Sequence, residues 1–198
     1  MGAALNSCLS KRKLVNVLLV NKTLLPIAGL LVMLTSTVIS AEPGANPVLA
    51  SHSKDFVVLE GDKLSAFKSK GFLQAPYTVL YFGAGWCPDC RRFSPKLVAA
   101  YDHQPPGAKR FEVLLLSRDK NAAGMLQFMR SEKMSWPALA FEKIEDAQDL
   151  KHLYSGHGIP CLTVVDSRGA MVLQSKDDQD GNDVLQQLQD LLKKQKDR

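Results

Sequence analysis

Cysteine is scarce in this chain: four residues in 198, at Cys8, Cys87, Cys90 and Cys161. A domain held by disulfides needs several well-spaced pairs, and a body of this length can build its core without them. Histidine is equally sparse, with four residues, and there is no second Cys-x-x-Cys and no His-x-x-x-His. Half of a zinc site is therefore all that the one close cysteine pair could supply, since zinc takes four ligands. Low-complexity tracts and internal repeats are absent, so fibrous, disordered and solenoid classes are excluded. Acidic residues are missing from the first 41 positions, which hold Lys11, Arg12, Lys13 and Lys22. Those four account for most of the +5 net charge and leave 21 basic against 20 acidic groups in the remainder. A balanced body gives no reason to expect nucleic acid as a partner.

What is present begins with that leader. A basic cluster, Lys11-Arg12-Lys13, precedes an uncharged apolar stretch, 24–39, and small residues at Ser40-Ala41 come before the polar Glu42-Pro43-Gly44. Basic, apolar and small-residue parts in that order predict an export signal over residues 1–41, cleaved after Ala41 or Ser40. The alternative is an uncleaved anchor over residues 15–39, long enough to span a bilayer with Lys22 inside it. Lysine in such a span costs about 2.5–3.5 kcal/mol on insertion scales, which favours the cleaved signal. Either form places the body outside the cytoplasm, periplasmic or secreted. Residues 42–54, with Pro43, Gly44 and Pro47, read as a linker, and 55–198 as one folded domain.

Along the domain, 56–59 reads as a strand and 63–70 as a short amphipathic helix carrying Leu64 and Phe67, ended by Gly71. The continuous apolar run 78–82 predicts a strand buried on both faces. A helix over 91–101 carries Phe93, Leu97, Val98 and Tyr101, with Pro95 expected to kink it. Then come a buried strand at 111–117, a helix at 121–133, an extended piece at 136–141 that places Trp136 in the core, and a short helix at 147–154. A strand at 162–165, a turn at Asp166-Ser167-Arg168-Gly169 and a strand at 171–174 follow. The last helix, after Gly181, gathers Val184, Leu185, Leu188, Leu191 and Leu192 on one face. Strands alternating with helices, then a hairpin, predict an α/β fold with a mixed sheet covered on both faces.

Between the strand at 78–82 and its helix lies Gly83-Ala84-Gly85-Trp86-Cys87-Pro88-Asp89-Cys90. Two sulfurs at a helix N-terminus meet unpaired backbone N–H groups and the positive end of the helix dipole. That setting favours a thiolate, the reactive species in disulfide exchange. Cys87, nearest the helix start and more exposed, is the expected nucleophile; Cys90, one turn on, the resolving thiol. Pro88 suits the first helical turn, where its missing N–H is not needed. Asp89 opposes an anion at this place, whereas Arg91 and Arg92 favour one. The scattered His103, His152 and His157 read as surface residues.

These residues resemble the thioredoxin superfamily, and within it the tryparedoxin/nucleoredoxin branch. The likeness rests on 81–91, on Phe93-Ser94-Pro95, on 111–119, on 133–141 and on 158–166, so that it covers about residues 55–194. It implies a thioredoxin fold in which Ile159-Pro160 is cis and packs against the cysteines, the Ile159 backbone pairing with an extended substrate and Trp86 flanking the nucleophile. It also implies a thiol–disulfide oxidoreductase with no cofactor of its own, reductase-like or an isomerase, acting on protein disulfides or small thiols, recharged by a redox partner and monomeric. The chain departs from the branch at Asp89, where proline is more usual, and at Pro137 and Cys161. Tyr81 stands where ordinary thioredoxins keep a buried acid, so the proton acceptor for Cys90 is open. Cys161 reads as a small buried apolar residue, with a third redox thiol as the alternative. Two rival functions stay open: a metal-binding module of the same fold without catalysis, and a thiol peroxidase.

Overall fold

The computed structural model describes residues 44–68, 70–105, 107–176 and 181–196. They belong to the unit Ser40–Arg198; the expected leader over residues 1–41 and the alternative anchor over 15–39 lie outside the described residues.

The sheet is built from the strands the apolar runs predict. Strands β1 (Phe56–Glu60), β2 (Lys63–Ala66), β3 (Tyr77–Gly83), β4 (Phe111–Ser117), β5 (Ala138–Leu139), β6 (Cys161–Asp166) and β7 (Met171–Gln174) form one sheet in the order β2-β1-β5-β4-β3-β6-β7. β3 lies parallel to β4 and antiparallel to β6, so the sheet is mixed. Every residue of β3 is buried, as its unbroken apolar run requires. The pleat then sends alternate side chains to opposite faces. Tyr77, Val79 and Tyr81 join one core with Phe93, Leu97, Met125, Phe128, Trp136 and Leu188. Leu80 and Phe82 join the other with Leu49, Phe56, Phe72, Leu150 and Cys161.

The first core is covered by α2 (Pro88–Asp102), α3 (Ala122–Ser131) and α5 (Gly181–Lys196). α2 runs through Pro95 and ends only at Asp102. Trp136 is fully buried, edge-on to Tyr101 with ring centroids 5.4 Å apart. The second core is covered by the short helices α1 (Pro47–His52) and α4 (Gln148–Lys151) and by 3-10 turns.

Two expectations are corrected. Residues 63–70 are not a helix: Lys63–Ala66 is a strand paired with β1, Glu60 facing Lys63 across a two-residue turn in which Gly61 has φ +61°. Leu64 packs on the first core and Phe67 on the second, so an odd spacing that would share a helix face is split by the sheet. The remainder, Lys70–Gln74, is a 3-10 helix that buries Phe72.

The expected linker is also structured. Asn46 caps α1, its side-chain oxygen accepting from the backbone N–H of Val48 at 3.1 Å and of Leu49 at 3.2 Å, while Pro47 opens the helix. The Asn46 amide donates to the Asp166 carbonyl at 2.8 Å, and Leu49 is fully buried. These bonds tie 46–52 to the domain.

Candidate active site

The C-terminal end of β3 delivers the chain to the cysteines. At Gly83 a Cβ would sit 2.6 Å from the Tyr81 ring, so the buried tyrosine requires a glycine there. The turn after β4 then fastens the next residues. Arg118 N–H donates to the Gly83 carbonyl at 2.8 Å, and Gly85 N–H to the Asp119 carboxylate at 3.0 Å. The Trp86 indole N–H donates to the Arg118 carbonyl at 3.0 Å. Asp119 also accepts from the Ser117 hydroxyl at 2.9 Å, and its burial raises its pKa above the ordinary carboxylate value. The indole, 56% exposed, is thereby held at the surface beside the cysteines.

Cys87 is the N-cap of α2, and Pro88 occupies the helix start. The Cys87 sulfur accepts from the Cys90 backbone N–H at 3.4 Å, one of the donors that a helix N-terminus leaves over. Its thiol donates to the Ile159 carbonyl at 3.4 Å. Cys87 is only 6% exposed, less open than its position suggests, and Cys90 is fully buried. Both are free thiols. Burial above all pushes the Cys90 thiol up to about 12, opposed by the Ala84 backbone N–H.

The Ile159-Pro160 bond is cis, and Ile159 reaches both cores. The loop carrying it and the first turns of α2 border a groove of about 980 Å³, lined among others by Asp89, Arg92, Phe93, Lys96, Ile159 and Pro160. Asp89 is exposed and ion-paired with Arg92, while Arg91 donates to the Gly85 carbonyl at 2.5 Å. One cation thus answers the nearest acid and the other braces the loop.

The fold accordingly gathers Trp86, Cys87, Pro88, Asp89, Cys90, Ile159 and Pro160 at one end of the sheet. Cys161, next to Pro160, lies at the same end of the sheet, but its side chain enters the other face. That residue pairs with Phe82 across β3 and β6, buried in the opposite core with its sulfur 3.4 Å from the Ser155 hydroxyl. Sequence reasoning left out Asp119, Ser94 and the hydroxyl of Tyr81. Ser94 could have been found from its place before Pro95, because a serine inside a helix often bonds back to a carbonyl.

Residues 76–171 match the family model described as thioredoxin-like. Tryparedoxin of Trypanosoma brucei brucei is 35% identical over 105 residues, 52% of this chain and 71% of that protein. Probable nucleoredoxin 1 of Arabidopsis thaliana is 32% identical over 126 residues, 63% of this chain. The chain spans about a fifth of that nucleoredoxin's length, 21%. Among solved structures, tryparedoxin from Trypanosoma brucei superposes with a TM-score of 0.51 at 31% identity, over 64% of this chain and 85% of that one. With relatives of this identity and coverage, and the same fold, the chain belongs to the thioredoxin superfamily of oxidoreductases, as a tryparedoxin/nucleoredoxin-like member.

Proposed function

We propose that this protein is a thiol–disulfide oxidoreductase that exchanges the Cys87–Cys90 dithiol with disulfides of protein substrates, in the reducing direction. The observation that carries the reading is the position of the Cys87 sulfur, at the helix start between the Cys90 N–H and the Ile159 carbonyl. The Cys90 N–H at the helix start is a donor aimed at the sulfur, and the Ile159 carbonyl accepts the thiol hydrogen, which places the sulfur where a helix N-terminus favours an attacking thiolate.

The Cys87 thiolate attacks one sulfur of the substrate disulfide, and the other leaves as a thiol after taking a proton. A mixed disulfide now joins substrate and protein. Cys90 loses its proton and attacks the Cys87 sulfur, which closes the Cys87–Cys90 disulfide and releases the second substrate thiol. Two electrons have passed to the substrate, and a separate reductant returns them. Trp86, which precedes Cys87 and is exposed, and the Ile159-Pro160 loop, whose carbonyl meets the Cys87 sulfur, offer an extended substrate segment an indole face and a backbone to pair with.

Among the described residues no three or more His, Cys, Asp or Glu side chains come together as a metal site. The charge and hydropathy of residues 1–41 favour work outside the cytoplasm. Insulin-disulfide reduction in the presence of dithiothreitol tests the activity: turnover is expected from the unaltered chain, and its absence would refute the reading. Export predicts a mature N-terminus at Glu42 or Ala41, read by N-terminal sequencing; an intact Met1 in a cytoplasmic fraction would refute that part.

A further inference from the structure

The fully buried Cys90 thiol is met by the Ala84 backbone, the Cys87 thiol and the Tyr81 hydroxyl. Tyr81 is fully buried, edge-on to Phe93 at 5.7 Å, and its hydroxyl lies 2.9 Å from the Ser94 hydroxyl. Ser94 is itself fully buried, and its hydroxyl donates to the Cys90 carbonyl at 2.9 Å. A serine has one hydroxyl hydrogen. With that hydrogen given to Cys90, the Tyr81 hydroxyl must be the donor to Ser94. Ser94 lies one turn after Cys90 in α2 and one residue before Pro95, which has no N–H to offer the Arg91 carbonyl; the Ser94 side-chain bond is an added tie to the Cys90 carbonyl in that turn.

We propose that Tyr81 and Ser94 are positioning residues for the resolving step. Ser94, bonded back to the Cys90 carbonyl, parks the Tyr81 hydroxyl beside the Cys90 sulfur, and the phenol hydrogen turns to that sulfur when the thiolate forms. This deepens the exchange reading and rests on it. In the step concerned, Cys90 gives its proton to solvent and its thiolate attacks the Cys87 sulfur. The Cys87–Cys90 bond forms, the bond from Cys87 to the substrate sulfur breaks, and the electron pair leaves with that sulfur, which takes a proton. Tyr81 keeps its own proton throughout, because burial and the neighbouring thiols raise its pKa. The chain thus supports its resolving thiolate with a neutral donor in place of a buried acid.

Stopped-flow reaction of the reduced full chain with 5,5′-dithiobis(2-nitrobenzoic acid) separates the two steps, in a background carrying Cys8→Ser and Cys161→Ala. The first release of thionitrobenzoate reports Cys87, and the second reports Cys90. Tyr81→Phe keeps the ring and removes the donor; it is expected to slow the second release at pH 7 by about tenfold or more, the loss of one hydrogen bond to a charged group. The first release should stay within about twofold, and the pH profile of the second should move to higher pH. Ser94→Ala is expected to slow the second release in the same way, and Ser94→Thr to restore it. A second release unchanged in both Tyr81→Phe and Ser94→Ala would overturn the proposal, as would equal slowing of both releases. Should Tyr81→Phe not fold, the Ser94 variants decide on the same readout. A parent chain that gives no second release would instead refute the exchange reading, and this inference with it.

Discussion

On one face of the sheet Cys87 and Cys90 stand at the start of α2; on the other Cys161 stands at the start of β6, one residue after Pro160. Exposure does not separate them strongly: Cys87 is 6% exposed, Cys161 1% and Cys90 fully buried. The difference lies in what each sulfur meets. Cys87 has a helix-start N–H on one side and the cis-proline loop on the other, whereas Cys161 packs among Leu80, Phe82 and Leu150 with a serine hydroxyl as its polar neighbour. On the proposed reading, reactivity follows placement at a helix N-terminus, and Cys161, a buried thiol without it, serves as a small apolar residue.

The largest effects should fall on one side of that comparison. Cys87→Ser is expected to lower insulin-disulfide reduction at least about a hundredfold, whereas Cys161→Ala stays within about twofold, because only the first removes a nucleophile at a helix start. Comparable losses in the two variants would break the distinction.

Packing, unlike chemistry, should be equal on the two faces. Leu115 and Leu116 are neighbours in β4, one in each core, and both are buried to 1% exposure or less. Each truncation to alanine is expected to cost about 2–5 kcal/mol in urea unfolding. A loss below about 1 kcal/mol at either one would show that its face is loosely packed.

The reduced form should also respond to alkali through the site face. Burial raises Cys90 from the ordinary thiol value of 9.0 to about 12, so its folded-state pKa lies above the unfolded one. Such a group contributes its stability fully below the unfolded value and loses it as pH climbs through that window. Stability should therefore fall between about pH 9 and 12, Cys90 accounting for about 2–4 kcal/mol. Cys90→Ala should make the fall shallower, measured by chemical unfolding across that range; an identical slope would contradict the origin assigned to it.

The smallest expected effect is at the N-terminal segment on the Cys161 face. Asn46→Ala removes the α1 cap and the bond to the Asp166 carbonyl, and should cost about 1 kcal/mol with insulin reduction unchanged. A fall in activity would connect the two faces.

Most of the central sheet and the whole cysteine segment were legible because their signals are local. The run from Thr78 to Phe82, the Gly-Ala-Gly before Trp86 and the apolar face of the last helix each point to one structure. The misread parts depend on partners far along the chain. Leu64 and Phe67 fit a helix turn as well as a hairpin strand, and only β1 and the two cores decide between them. Gly61-Asp62 was the available hairpin signal. Asn46-Pro47 reads as loop composition, although an asparagine cap before a proline is also a helix start. At the site, the cysteines and Ile159-Pro160 were nameable from motif and family likeness. The Asp119 bond to Gly85 and the Ser94 bond to Tyr81 depend on a loop and a strand that sequence spacing does not bring beside them.

The most direct test is to treat the reduced full chain with an excess of a disulfide substrate, stop the reaction by acid, alkylate, and map the protein's disulfides by peptide mass spectrometry. The account predicts a Cys87–Cys90 disulfide with Cys161 recovered as an alkylated thiol. A bridge that includes Cys161, or recovery of Cys87 and Cys90 both unoxidised, would contradict it.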